Sequence, residues 1–269
     1  MTMVILNLAA VLLYSTAGVI LFRQLISKQG GWTGKTSILS ISVVAVLIHA
    51  LIIYITMSPN DQWSMGMTNA FSIVACAVAA IFTMLAFWRP IENLGVAVLP
   101  AAAISILGAW LWPADTQALV TPSKQFTLHL ALSVTAYAFL TLAVIQAVLL
   151  STQERRLRHR TPGRVLKALP PIQTMETVLF LLTGVGFVLL TLTLISGAIY
   201  TRSLVGVTFT FNHHTVLTFL AWLIFGILLI GHFFFGWRGR HAVHWTIGGF
   251  VVLVLAYFGT KYVVEFILS

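Results

Sequence analysis

The chain has 269 residues, of which 59% are hydrophobic and only 8% charged. Water-soluble domains carry about 25% charged residues, so the composition excludes an ordinary globular enzyme. Cys76 is the only cysteine and lies in an apolar run, which excludes a disulfide scaffold. The net charge of +9 reads as loop charge on a membrane protein rather than as a nucleic-acid footprint.

Eight apolar stretches follow in chain order, over residues 3–22, 37–57, 68–88, 92–112, 126–150, 175–199, 215–236 and 243–266. Each is long enough to cross a ~30 Å hydrocarbon layer at about 1.5 Å per residue. Backbone polar groups must be satisfied internally in lipid, which selects helices. The ten-residue alternation of a barrel strand is missing. The predicted fold class is therefore all-α: a polytopic transmembrane bundle of eight spans forming a single domain over residues 1–269. The first helix opens MTMVILNLAA with no basic residue ahead of it and Arg23 behind it. A cleaved signal has the opposite charge order, so this helix is expected to stay.

The loops divide the basic residues. Arg23, Lys28, Lys35, Arg89, Arg155, Arg156, Arg158, Arg160, Arg164, Lys167, Arg238 and Arg240 share one side, against Lys124, Arg202 and Lys261 on the other. This 12-to-3 split predicts both termini on the non-cytoplasmic side. The run ERRLRHRTPGR (154–164) reads as a topogenic loop against anionic lipid. After Pro170 and Pro171, Thr174 is expected to cap the sixth helix with Glu176 in its first turn. The expected partner is the bilayer, with no nucleic acid.

Phosphate-binding glycine loops, GxSxG, HExxH and CxxC are all missing. The polar signal is histidine, eight against six acids. His159, His241 and His244 fall in loops or at an interface. His213 and His214, in FNHHTV before the seventh span, are second-tier ligand candidates. His49 lies roughly 12 Å below the outer end of the second span, and His129 about 5 Å below that surface. Their similar depth predicts that they clasp one flat ligand. His232 lies roughly 26 Å from the outer end, near the cytoplasm.

Neutral imidazole suits haem iron between bundled helices, whereas zinc wants three or four clustered ligands. The competing reading of each histidine is a hydrogen bond across helices. His129, Ser133 and Tyr137 share one helix face, so Tyr137 is a candidate to hold a ring or orient the imidazole, with plain packing as the alternative. Trp237 sits among interfacial tryptophans and is, with Tyr137, a second-tier candidate for the cofactor site.

Five segments carry a family resemblance: QWSMGMTNAFS (62–72), HLALSVTAYA (129–138), METVLFLLTGVGFVLLTLTLISGAIY (175–200), AWLIFGILLIGH (221–232) and YFGTKYVVEFIL (257–268). Together they resemble the integral-membrane cytochrome c assembly family, the haem-handling proteins of cytochrome c maturation. The closing segment GHFFFGWRGRHAVHW is similar to its short eight-helix branch, called YpjD- or HemX-like. The resemblance implies a haem-ligating histidine at His129 and an in-membrane one at His232. The family's tryptophan-rich outer loop with an aspartate aligns with residues 206–222, where Phe209, Phe211 and Asn212 replace the tryptophans and the aspartate. The second outer histidine of full synthases would fall near Leu268 and is missing.

The resemblance therefore implies binding or handling of b-type, non-covalent haem without covalent attachment, in a bacterial cytoplasmic (inner) membrane beside other maturation proteins. His129 would hold the iron, with His49 or the His213/His214 pair as its substitute partner. Arg238 and Arg240, in GWRGR, suit haem propionates. Two other readings stay open: a transporter component with metal-binding histidines, and a regulatory scaffold with structural ones.

Overall fold

Each apolar stretch becomes a helix, because a helix alone satisfies every backbone group within one segment. The computed structural model describes residues 1–27, 32–57, 63–64, 66–112, 119–120, 123–158, 169–205, 213–259 and 262. Its helices are α1 (Thr2–Ser27), α2 (Trp32–Met57), α3 (Met67–Ala86), α4 (Glu92–Leu111), α5 (Lys124–Arg158), α6 (Ile172–Val205), α7 (His213–Phe235) and α8 (Arg240–Val254). A π-helical turn, Leu255–Gly259, continues α8. Among the described residues, eight helices are long and apolar enough to cross a membrane.

The contacts divide the chain into two four-helix units, residues 1–122 with 160–170, and residues 123–159 with 171–269. In the first, α1 packs on α2 and α4, and α3 closes the ring between α2 and α4. Close approach there rests on small residues: Ala10 and Ala17 are fully buried, and a Cβ on Gly95 would fall 2.5 Å from the Phe82 ring. The connections after α2 and α4 meet in a two-residue antiparallel pairing, Trp63 opposite Val120 and Ser64 opposite Leu119. Lys35 and Glu92 form an ion pair between α2 and α4.

In the second unit α5 lies along α6, α7 packs on both α6 and α8, and α8 returns to α5. Ala136, Leu140, Ala143, Ala147 and Leu150 of α5 are completely buried, as are Leu179 and Leu182 of α6. Outward residues such as Leu47, Leu51, Phe219, Ile227 and Ile230 are exposed and apolar, a surface that only lipid covers without penalty.

Several boundaries differ from expectation, and three of them are instructive. The fifth helix continues to Arg158, eight residues past its expected end and into the basic run. Glu, Arg, Leu and Gln are good helix formers, and basic residues in a last turn complement the dipole. The sixth helix starts at Ile172, so Thr174 lies inside it and is not the cap. The eighth is α-helical only to Val254 before the π turn. His159, Phe209, Phe211, Asn212 and Leu268 lie outside the described residues.

Candidate functional site

The three membrane histidines meet different surroundings. His49, on α2 in the first unit, is completely buried. Its Nε2 lies 2.9 Å from Ser72 Oγ on α3, and its Nδ1 3.4 Å from the Tyr14 hydroxyl on α1. The Tyr14 ring stands edge-on to the imidazole, with centroids 5.8 Å apart. Both ring nitrogens are thus engaged by hydroxyls, whichever tautomer is present. An iron ligand needs one nitrogen's lone pair, so His49 could serve only by losing a buried hydrogen bond. The expected pairing of His49 with His129 would therefore break one of these two buried hydrogen bonds. His49 ties α1, α2 and α3 together, the interhelical role that polar groups take in lipid.

His129 stands near the start of α5 in the second unit, half-buried. Its Nδ1 lies 3.1 Å from Ser196 Oγ on α6. The Ser196 hydroxyl also lies 3.0 Å from Thr193 O; when it donates there, it accepts from His129. In that arrangement the proton is on Nδ1 and Nε2 carries the lone pair. Gly197 allows the close approach: a Cβ there would come within 3.0 Å of His129 Cε1. Tyr200 lies parallel to the imidazole at 6.4 Å between centroids. His214, at the start of α7, is near enough to interact electrostatically with His129, and Tyr257 meets its ring edge-on at 6.2 Å. His129, Ser196, Tyr200, His214 and Tyr257 thus gather at one end of the second unit. His213 is exposed beside them.

Tyr137 does something other than orient His129. Its hydroxyl donates to Leu253 O, and its ring meets Tyr257 and Phe258 edge-on. Ser133 bonds back to His129 O within α5. The shared face joins α5 to the end of α8, and the imidazole takes its orientation from Ser196.

His232, in the last turn of α7, lies 18 residues beyond His214, about 27 Å along the helix. One haem cannot touch both ends. Its Nδ1 is 3.0 Å from Trp237 O, a pure acceptor, so Nδ1 donates and Nε2 again holds the lone pair. The ring stacks on Phe180 of α6, with centroids 3.4 Å apart. Trp237 lies against His241 and Trp245, at 6.1 and 5.6 Å between centroids. Arg238 and Arg240 are exposed; Arg240 also neighbours Glu154. Sequence reasoning missed Glu154 and Glu176 here. Glu176 Oε1 accepts the Gly239 N–H at 2.7 Å. Its place four residues before Phe180 was the available signal.

Among the described residues no three His, Cys, Asp or Glu side chains converge to hold a bare metal ion. Haem asks less of the protein, because the porphyrin supplies four nitrogens and leaves one or two axial positions. His129 and His232 would meet that demand through Nε2 with the proton on Nδ1, and His214 adds a second imidazole beside His129.

The cytochrome c assembly protein family matches residues 5–268 of the chain. The chain is 30% identical over 268 residues to the inner membrane protein YpjD of Escherichia coli K12, covering 97% of this chain and 98% of that one. It is also 30% identical over 213 residues to the "Uncharacterized 28.8 kDa protein in nifR3-like 5'region" of Azospirillum brasilense, covering 77% and 78% of the two chains. With the cytochrome c biogenesis protein CcsA of Gloeothece citriformis it shares 29% identity over 100 residues, 37% of this chain and 30% of that one.

Proposed function

The chain belongs to the cytochrome c assembly family, and on that premise we propose that it binds and hands on haem, non-covalently, through imidazoles of its second four-helix unit. The observation that carries this reading is the oxygen held against Nδ1 of both His129 and His232, Ser196 Oγ and Trp237 O. With the proton on Nδ1, each ring would keep Nε2 as an electron-pair donor. Metal-binding histidines are commonly set up in this way, since the bond at one nitrogen fixes the ring and raises the basicity of the other.

His129 and His214 would hold haem at one end. His232 would offer a separate position at the other end. Haem supplies, when bound, an iron whose axial sites accept neutral imidazole. The chain's own contribution is to orient those rings and surround them with apolar side chains. Tyr200 and Tyr257 offer aromatic walls near the first position. Exposed Arg238 suits a propionate carboxylate at the second.

The proposal is one of binding and transfer, with no bond-making chemistry. Phe209, Phe211 and Asn212, in place of the family's tryptophans and aspartate, favour that restriction. The basic-residue split supports both termini on the non-cytoplasmic side, and the name of the E. coli relative supports the inner membrane. The expected partners are other maturation proteins. Protein purified from haem-replete cells should show a Soret band and a reduced-minus-oxidised difference spectrum of b type. A colourless protein that takes up no haem on titration would overturn the reading and leave the histidines as helix-to-helix contacts.

A further inference from the structure

The turn joining α7 to α8 is built from two glycines at positive φ, Gly236 at 67° and Gly239 at 53°. Between them Trp237 folds back, its N–H bonding Gly231 O at 3.0 Å and its carbonyl meeting His232 Nδ1. Nothing within the turn fixes its far end: Gly239 is the N-cap of α8 and has no side chain to close the helix. That role falls to Glu176, from α6, whose carboxylate accepts the Gly239 N–H. An anion at a helix N-terminus is favoured by the unsatisfied N–H groups and their aligned dipoles. Glu176 and Phe180 are four residues apart and share one face of α6. One therefore holds the turn that supplies the acceptor for His232 Nδ1, while the other stacks on the same imidazole.

The geometry points to Glu176 as a positioning residue for His232: by clamping the Gly239 N–H it keeps the Trp237 carbonyl on Nδ1, and so keeps Nε2 as the ligating nitrogen. The inference rests on the reading of His232 as a ligand, but its physical content is the tautomer. Glu176 touches no ligand and acts only through the turn. The Gly239 conformation, φ 53° and ψ −126°, is one that L side chains rarely adopt, and a Cβ there would lie 3.0 Å from Glu154 Oε1. The clamp is thus specific to glycine at 239 and to an acceptor oxygen at 176.

The test uses full-length protein without haem, in lipid nanodiscs, with histidine rings labelled with nitrogen-15. Subtracting the spectrum of a His232→Gln variant assigns the ring resonances. Wild type should show His232 protonated on Nδ1 by about tenfold over Nε2. Glu176→Ala should bring the two tautomers to within about threefold of each other, whereas Glu176→Gln, which keeps an acceptor oxygen, should retain the wild-type ratio. An unchanged ratio in Glu176→Ala, or a wild-type His232 protonated on Nε2, would overturn the inference. Should Glu176→Ala not fold, as judged by circular dichroism, Gly239→Ala tests the same clamp and should shift the ratio equally. Because the readout needs no haem, a tautomer that follows Glu176 in a protein with no Soret band sinks only the haem reading. A Soret band with an indifferent tautomer sinks only the clamp.

Discussion

His49 and His129 are two imidazoles at similar predicted depth, each facing a serine on a neighbouring helix, and the two units use them differently. In the first unit Ser72 and Tyr14 engage both nitrogens of His49, which is sealed from all surroundings. In the second, the Ser196 hydroxyl lies against His129 Nδ1 alone. The second hydroxyl, which His49 meets in Tyr14, is the difference that decides whether a lone pair is left over. A histidine in a membrane helix is thus not defined by its depth or by having a polar neighbour. What its neighbours do with their remaining donors decides its chemistry.

The comparison can be broken in four places. His49→Ala leaves Tyr14 and Ser72 hydroxyls facing an emptied buried space, and should destabilise the protein by about 3 kcal/mol. Haem per protein should stay unchanged; thermal unfolding in detergent beside a pigment assay checks both. His214→Ala should weaken haem binding at least tenfold and turn a six-coordinate low-spin iron into a five-coordinate high-spin one, visible by electron paramagnetic resonance. An unaltered low-spin signal would remove His214 from the site. Ser196→Ala frees His129 Nδ1 and should cost about tenfold in haem affinity, the usual order for losing the group that orients a ligand, with unfolding little changed. Tyr14→Phe should be the mildest, about 0.5 kcal/mol, since its contact with His49 is long at 3.4 Å.

The eight spans were legible because lipid leaves the backbone a single inexpensive conformation and the apolar runs are long. Span ends were less so: α5 outlasts its apolar run because residues 151–158 favour helix whether or not lipid surrounds them. The histidines stood out by number, and His129 and His232 by family resemblance. Their surroundings did not, for helix rotation is not written in hydropathy. His49 meets Tyr14 and Ser72 across 35 and 23 residues of sequence, and Glu176 meets Gly239 across 63. Only packing selects those partners. Tyr137 left its role open in the sequence: its i,i+8 spacing from His129 gives a common face, and packing joins that face to the end of α8.

The most direct trial of the account is a haem titration of three purified proteins side by side: wild type, His49→Ala and His129→Ala, each followed by its reduced-minus-oxidised spectrum. The account predicts matching b-type spectra and affinities for wild type and His49→Ala, and loss of most of the signal in His129→Ala. A spectrum lost with His49 and kept without His129 would contradict it, and would move the ligand to the first unit.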